Sequence, residues 1–176
     1  MIEPNKKEYI TNDSNSARYV LGKYTNRPLI VFGINPSTAS AEKNDNTISI
    51  IERVSELRQY DGYLMLNIYP LRATQIDSTF HNVCDSEICE YNLKCISERI
   101  YDGAEIIAAW GTHICDKGYF IDILERINNI VKNKNAKWIC LSKTKHGHPH
   151  HPTRLAYSKM TFEPFNMDEY IQTMKR

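Results

Sequence analysis

Four short apolar segments, separated by stretches with helical periodicity, constrain the fold of this chain more than any other feature. The segments span residues 29–33, 63–69, 105–110 and 137–141. Helical periodicity predicts helices over Thr47–Gln59, Ser86–Tyr101, His113–Lys132 and Met167–Met174. Strands that alternate with helices of this length form right-handed crossovers and a parallel sheet. We therefore predict an α/β fold, a three-layer α/β/α sandwich with a central four-stranded parallel sheet.

The length of 176 residues is typical of one domain with a sizeable core. Residues 1–17 are polar and rich in Asn, Ser and Lys, which predicts a flexible N-terminal arm. Residues 18–176 then form a single domain. Its first segment, Arg18–Tyr24, is predicted to be an edge strand.

Composition and charge exclude several classes of protein. A formal net charge of +1 argues against a protein that coats duplex DNA. No apolar run approaches the roughly 18 residues of a membrane span, and the first residues lack a signal-peptide core. The five cysteines have no CxxC spacing, as expected of reduced thiols. We expect a cytoplasmic protein without a membrane partner.

Polar residues follow every predicted strand of the parallel sheet. Because the carboxyl ends of parallel strands meet at one edge, these residues predict a binding site there. In chain order they are Asn35, Ser37 and Thr38; Asn67, Arg72 and Thr74; Trp110 to His113; and the loop of residues 146–152. Motifs for dinucleotides, nucleoside triphosphates and the hydrolase nucleophile are absent, so no cofactor is predicted.

The residues around the first strand end have two interpretations each. Asn35 is either an amide that orients a ligand or a turn residue bonded to its own backbone. Ser37 and Thr38 either cap the next helix or bind an anion. Asp45 is either a helix cap or a distant general base. Gly33 allows the backbone to approach a ligand closely.

Two further residues stand out at the next strand ends. Asn67 interrupts an apolar run, and a buried amide needs partners, either from neighbouring loops or from the edge of a nucleobase. Trp110 either packs in the core or provides a stacking surface for a ligand.

The loop His-Gly-His-Pro-His-His-Pro holds four of the six histidines. It is a metal site, a hydrogen-bond donor to a developing anion, or a solvated basic loop beside Arg154. The prolines and the lack of nearby carboxylates or cysteines disfavour a metal, so none is predicted.

Four motifs, in order over residues 29–155, resemble the uracil-DNA glycosylase superfamily. The segment 33–41 resembles the Gly-Ile-Asn-Pro-Gly segment of mismatch-specific and thymine-DNA glycosylases. Residues 62–74 are similar to the Leu-Leu-Asn strand, and residues 109–118 to the Leu-Trp-Gly strand and helix. His151–Leu155, or His148-Pro149, resembles the His-Pro-Ser loop. The whole chain also looks like a bacterial and phage family catalogued as domain of unknown function 1643.

The resemblance implies a mechanism in which Asn35 positions water and His151 or His148 stabilises the departing base anion. It implies that Asn67 reads the base, and that the binding surface includes Gly33, Ser37, Thr38, Arg72, Trp110 and Arg154. Two departures stand out: Ser37 replaces a glycine of the family, and residue 35 is not a carboxylate.

We expect an N-glycosidase-like enzyme that cleaves a base–sugar bond in DNA or in a modified nucleoside or nucleotide. Its partner is then a nucleobase-containing ligand: a nucleotide, a nucleoside or a flipped base in DNA. Two alternatives remain, a non-catalytic protein that binds a nucleotide or modified base, and a phage–host interaction protein. The sequence does not indicate the base or the oligomeric state.

Overall fold

The computed structural model describes residues 6–73 and 84–175 and has a mixed α/β fold. Thr74 and the first five residues of the predicted arm lie outside the described residues. The seven strands of the described ranges are β1 (Lys6–Thr11), β2 (Arg18–Tyr24), β3 (Pro28–Gly33), β4 (Gly62–Asn67), β5 (Glu105–Ala108), β6 (Lys137–Cys140) and β7 (Glu163–Pro164). The same ranges contain four α-helices: α1 (Asn46–Leu57), α2 (Ser86–Arg99), α3 (Tyr119–Asn133) and α4 (Met167–Met174).

The sheet has the strand order β1-β2-β4-β3-β5-β6-β7. Its centre, β4-β3-β5-β6, is parallel and consists of the four strands predicted from the sequence. Strands β1, β2 and β7 pair antiparallel around this centre. The α/β class is therefore confirmed, whereas the sheet has seven strands rather than four. The predicted sheet was too small because β1 is polar and β7 spans only two residues, so neither has an apolar pattern.

Strand β1 corrects the prediction of a flexible arm for residues 6–11. Its backbone pairs with β2 from Lys6 opposite Tyr24 to Thr11 opposite Arg18. Strand β2 pairs with β4 on its other side and is therefore not an edge strand. Backbone hydrogen bonds need no apolar side chains, which is why hydrophobic periodicity did not reveal this strand.

Apolar side chains cover both faces of the sheet. On one face, α1 contributes Ile48, Ile51 and Val54 to a core with Leu29 and Val31 of β3. On the other face, α2, α3 and α4 pack against the alternate residues of β3, including Phe32. Every residue of β3 is buried, as expected of a strand between two apolar layers.

The helix boundaries follow local capping interactions. The Asp45 carboxylate accepts a hydrogen bond from the Ile48 N–H at 3.0 Å and caps α1. The helix predicted from His113 begins at Tyr119 instead, because residues 111–115 form a tighter 3-10 turn closed by the Asp116 N–H on the His113 carbonyl. None of the helices in the described ranges has the length and apolar character needed to cross a membrane.

Candidate functional site

A cavity of about 670 Å³ lies at the carboxyl edge of the parallel strands. Its wall comes from the residues after β3, the N-terminus of α1, the turn after β5 and the histidine loop after β6. The predicted site residues that line the cavity are Gly33, Asn35, Ser37, Thr38, Asp45, Trp110, Gly111, Thr112, His113, His150, His151 and Arg154. Three other predicted residues, Asn67, Arg72 and His148, do not line it. The volume lies within the range of small-molecule sites.

Asn35 has its amide orientation set by two backbone carbonyls. Its Nδ2 donates to the carbonyl oxygen of Ala73 at 2.8 Å and to that of Pro36 at 3.1 Å. Only the nitrogen of the amide can donate, so Oδ1 is the acceptor that remains for a water or a ligand. The bond to Pro36 confirms the interpretation of Asn35 as a turn residue, and the same bond orients the amide; that Asn35 orients a ligand stays a prediction.

The loop after Asn35 is braced by Arg72, which does not line the cavity. The Arg72 guanidinium donates to the Ser37 carbonyl at 2.6 Å and to the Ala39 carbonyl at 3.3 Å, and it also contacts the Tyr9 hydroxyl. Ser37 and Thr38 do not cap α1, since the capping side chain is that of Asp45. Arg72 thus holds the backbone of the loop that forms this part of the cavity wall, without lining the cavity itself.

Asn67 lies at the end of β4, directly beside Gly33 in the parallel register. Its side chain is 0% exposed, and neither Oδ1 nor Nδ2 has a hydrogen-bond partner in the part of the chain that the structure describes. A Cβ placed on Gly33 would lie 3.2 Å from Asn67 Oδ1, so this amide lies directly behind Gly33, which lines the cavity. An unpartnered buried amide is costly and indicates a site for water or ligand.

His151 faces the same cavity as Asn35 and is held as one tautomer. Its Nδ1 accepts a hydrogen bond from the Thr153 N–H and lies 2.8 Å from the Thr153 hydroxyl. Because a backbone N–H only donates, Nδ1 carries no proton and Nε2–H is the donor. Burial, with the charge of His113, lowers the pKa of His151 below its ordinary value of 6.5. His151 is therefore a neutral donor at neutral pH.

His148 is buried away from the cavity. It is 8% exposed, and its Nδ1 lies 2.9 Å from the Tyr170 hydroxyl of α4. That hydroxyl also accepts a hydrogen bond from Trp110 Nε1 at 3.3 Å. Burial lowers the pKa of His148, which keeps the imidazole neutral. The structure therefore gives His148 a packing position, in contrast to the catalytic position expected as an alternative to His151.

Trp110 and Arg154 both line the cavity, but Trp110 is buried and Arg154 is exposed. The Trp110 ring is 1% exposed and packs edge-on against Trp138 and Phe165, so its side chain belongs to the core. Arg154 is exposed at the cavity mouth. No three His, Cys, Asp or Glu side chains of the described residues are grouped as metal ligands.

Arg18 is a cavity residue that the sequence prediction missed. It is the first residue of β2 and is 2% exposed. Because β2 runs antiparallel to β4, its first residue lies at the edge where β4 ends, and the Arg18 N–H bonds to the Pro70 carbonyl there. Arg18 precedes an antiparallel strand rather than following a parallel one, so the pattern of polar residues after the parallel strands does not reveal it. Met65 and Thr47 also line the cavity.

A model of the family described as "Protein of unknown function (DUF1643)" matches residues 18–153. The match covers more than half of the chain, and the chain therefore belongs to this family. No curated protein and no solved structure matches the chain. The matched residues include β2 to β6 and every site residue described above except Arg154.

Proposed function

We propose that this member of the DUF1643 family is an N-glycosidase-like enzyme that hydrolyses the bond between a nucleobase and a sugar. The observation that carries the proposal is the convergence of Asn35 and a neutral His151 on one cavity, beside the unpartnered amide of Asn67. These residues supply a water acceptor, a hydrogen-bond donor for an anion and a polar group for a base edge.

The proposed reaction adds water across the bond between the sugar C1′ and the base nitrogen. As that bond breaks, negative charge develops on the base and positive charge on the sugar. His151 Nε2–H donates a hydrogen bond to the base anion, which a neutral imidazole does without the cost of a buried cation. Asn35 Oδ1 accepts from the attacking water, whose proton ends on the released base.

We extend the proposal to ancestry: the four motifs in order support a place in the uracil-DNA glycosylase superfamily. That superfamily would require a three-layer α/β/α arrangement around the parallel strands. Helices on both faces of the sheet are consistent with it. The additional antiparallel strands β1, β2 and β7 would then be additions to the four-stranded centre.

The test is release of free base, measured by liquid chromatography and mass spectrometry. The full chain is incubated with nucleosides, nucleotides and oligonucleotides that carry modified or mismatched bases, in single and double strands. We expect release from at least one substrate and a loss of about 10²–10³ in rate for His151→Ala, the usual cost of one such donor. Asn35→Ala should also suppress release.

The matched control is His146→Ala, because His146 is an exposed histidine of the same loop that does not line the cavity. This variant should keep the wild-type rate. No release from any substrate in the panel would contradict the proposed hydrolysis.

A second candidate, binding without turnover, is favoured by one observation. The carboxylate that lines the cavity nearest in sequence to Asn35 is Asp45, and it is already occupied by the Ile48 N–H as a helix cap. Binding alone predicts stabilisation that grows with ligand concentration as RT ln(1 + [L]/Kd), without release of base. Asn67→Ala should remove this ligand-dependent stabilisation. If the stabilisation is the same in Asn67→Ala as in the wild type, the ligand binds elsewhere.

A further inference from the structure

Arg18 is a buried cation without a counter-ion among the described residues. Its Nη1 donates to the Ala39 carbonyl at 2.9 Å, its Nε has no partner, and no carboxylate of the described residues lies within 4.0 Å of it. Arg99 shows how this chain otherwise treats a buried guanidinium: at 4% exposure it pairs with Glu8 at 2.7 Å. A buried charge without an opposite charge is costly, so Arg18 is a group prepared for an anion.

A second arginine increases the positive charge at this wall. Arg72 donates to the same Ala39 carbonyl as Arg18, which brings the two guanidinium groups close together. Burial, followed by the charge of Arg72, lowers the pKa of Arg18 to about 10, so Arg18 remains charged at neutral pH. The charge of Asp45 raises the pKa of Arg18, but Asp45 lies beyond ion-pair distance from it and caps α1.

We propose that Arg18 binds the terminal phosphate of a free nucleotide in the cavity. This inference rests on the proposed function, since the nucleoside part is assigned to Asn35, Asn67 and His151. A guanidinium forms strong charge-assisted hydrogen bonds with phosphate oxygens.

The position of Arg18 favours a free nucleotide over a polynucleotide. At 2% exposure, the guanidinium is accessible only to a group that enters the cavity. A terminal phosphate on a small molecule can enter, whereas the phosphodiesters of a polymer remain along its path outside. The net charge of +1 also provides little of the phosphate attraction on which polynucleotide binding depends.

The experiment measures binding to the full chain by calorimetry and thermal shift. The probes are the 2′-deoxynucleoside 5′-monophosphates, the matching nucleosides, inorganic phosphate and a single-stranded oligonucleotide. We expect at least one monophosphate to bind about 10-fold or more tightly than its nucleoside, as a charge-assisted contact provides. Arg18→Met should remove this preference. The control, Arg53→Met on the exposed face of α1, should keep it.

Equal affinities of nucleoside and monophosphate in the wild type would overturn the inference, and this comparison decides even if Arg18→Met does not fold. A preference retained by folded Arg18→Met would also overturn it. Tighter binding of the oligonucleotide than of every monophosphate would overturn the choice of a free nucleotide.

The two proposals fail under different results. Binding of nucleosides without a preference for the phosphate would leave the proposed function standing. Phosphate binding that depends on Arg18, with no base preference and no base release, would instead refute the proposed function alone.

Discussion

Glycine at position 33 is the residue-scale feature on which the site depends. A Cβ there would lie 2.7 Å from Met65 Cε and 3.2 Å from Asn67 Oδ1. The methyl end of a methionine can move, so the fold tolerates the extra carbon, but that carbon would cover the buried amide. The segment Gly-Ile-Asn-Pro, conspicuous in the sequence, thus combines an opening at Gly33 with an oriented amide at Asn35.

Gly33→Ala should leave the free energy of unfolding within about 1 kcal/mol of wild type, because only a flexible side-chain end must shift. It should weaken the binding of 2′-deoxynucleoside 5′-monophosphates about 10-fold or more by screening Asn67. Chemical denaturation and calorimetry measure the two effects. Gly118→Ala, whose added Cβ meets no atom within 4 Å, is the control. Unchanged affinity in Gly33→Ala would show that the ligand does not use Asn67.

At the scale of elements, the antiparallel strand β2 completes the site because it lies against β4. The contact is close at Gly22, where a Cβ would lie 2.1 Å from the Tyr63 carbonyl oxygen of β4. Backbone atoms cannot move aside without separating the strands. The placement of Arg18 at the cavity therefore depends on a glycine four residues further along β2.

Gly22→Ala should lower the free energy of unfolding by about 2–3 kcal/mol, at the upper end of the usual cost of overpacking. Thermal and urea denaturation measure this loss, again with Gly118→Ala as the variant that should not change stability. A Gly22→Ala protein as stable as wild type would mean that β2 and β4 can separate at this point without cost.

The Tyr170 hydroxyl joins three elements: α4, the histidine loop through His148, and the turn after β5 through Trp110. Tyr170→Phe removes that hydroxyl and leaves two buried ring nitrogens without a partner. We expect a loss of about 1–3 kcal/mol in the free energy of unfolding, with base release and ligand affinity retained by the molecules that remain folded. A selective loss of activity at full stability would instead assign His148 a catalytic position.

At the scale of the whole molecule, stability depends on two neutral histidines in one loop, of which His148 is buried and His151 is partly buried. Burial lowers the pKa of both His148 and His151 from the ordinary value of 6.5. In the unfolded chain each would become protonated near pH 6.5, while in the folded chain each resists protonation. The unfolded state thus binds more protons as the pH falls below 6.5.

The free energy of unfolding should therefore be level between about pH 6.5 and 8 as far as these histidines contribute, and decrease as the pH falls from 6.5 toward the lower folded-state pKa values. Urea denaturation at half-unit steps of pH measures the slope. His148→Gln, which removes one titrating group, should reduce the slope between pH 6.5 and 5.5. His146→Ala should reduce the slope less, because the charge of His146 is the smaller cause, after burial, of the lowered pKa of His148. A slope in His148→Gln equal to that of the wild type would contradict this assignment.

The sequence by itself determined the elements that hydrophobic periodicity encodes. The four central strands, the α4 helix and the location of the cavity at the strand ends all follow from apolar runs and from the polar residues after them. Those patterns reflect burial, which is local to each strand or helix. Strands β1 and β7 were not predicted, because backbone pairing leaves no hydrophobic pattern in a polar or very short segment.

Only the tertiary structure decided which of the polar residues meet in the cavity. His148 and His151 have nearly the same local sequence, yet packing against Tyr170 buries one, and the bond to Thr153 holds the other at the cavity. Arg18 comes to the site through antiparallel pairing with a strand more than forty residues away. The physical reason is that side-chain direction within a loop, and partners distant in sequence, are set by long-range packing rather than by local periodicity.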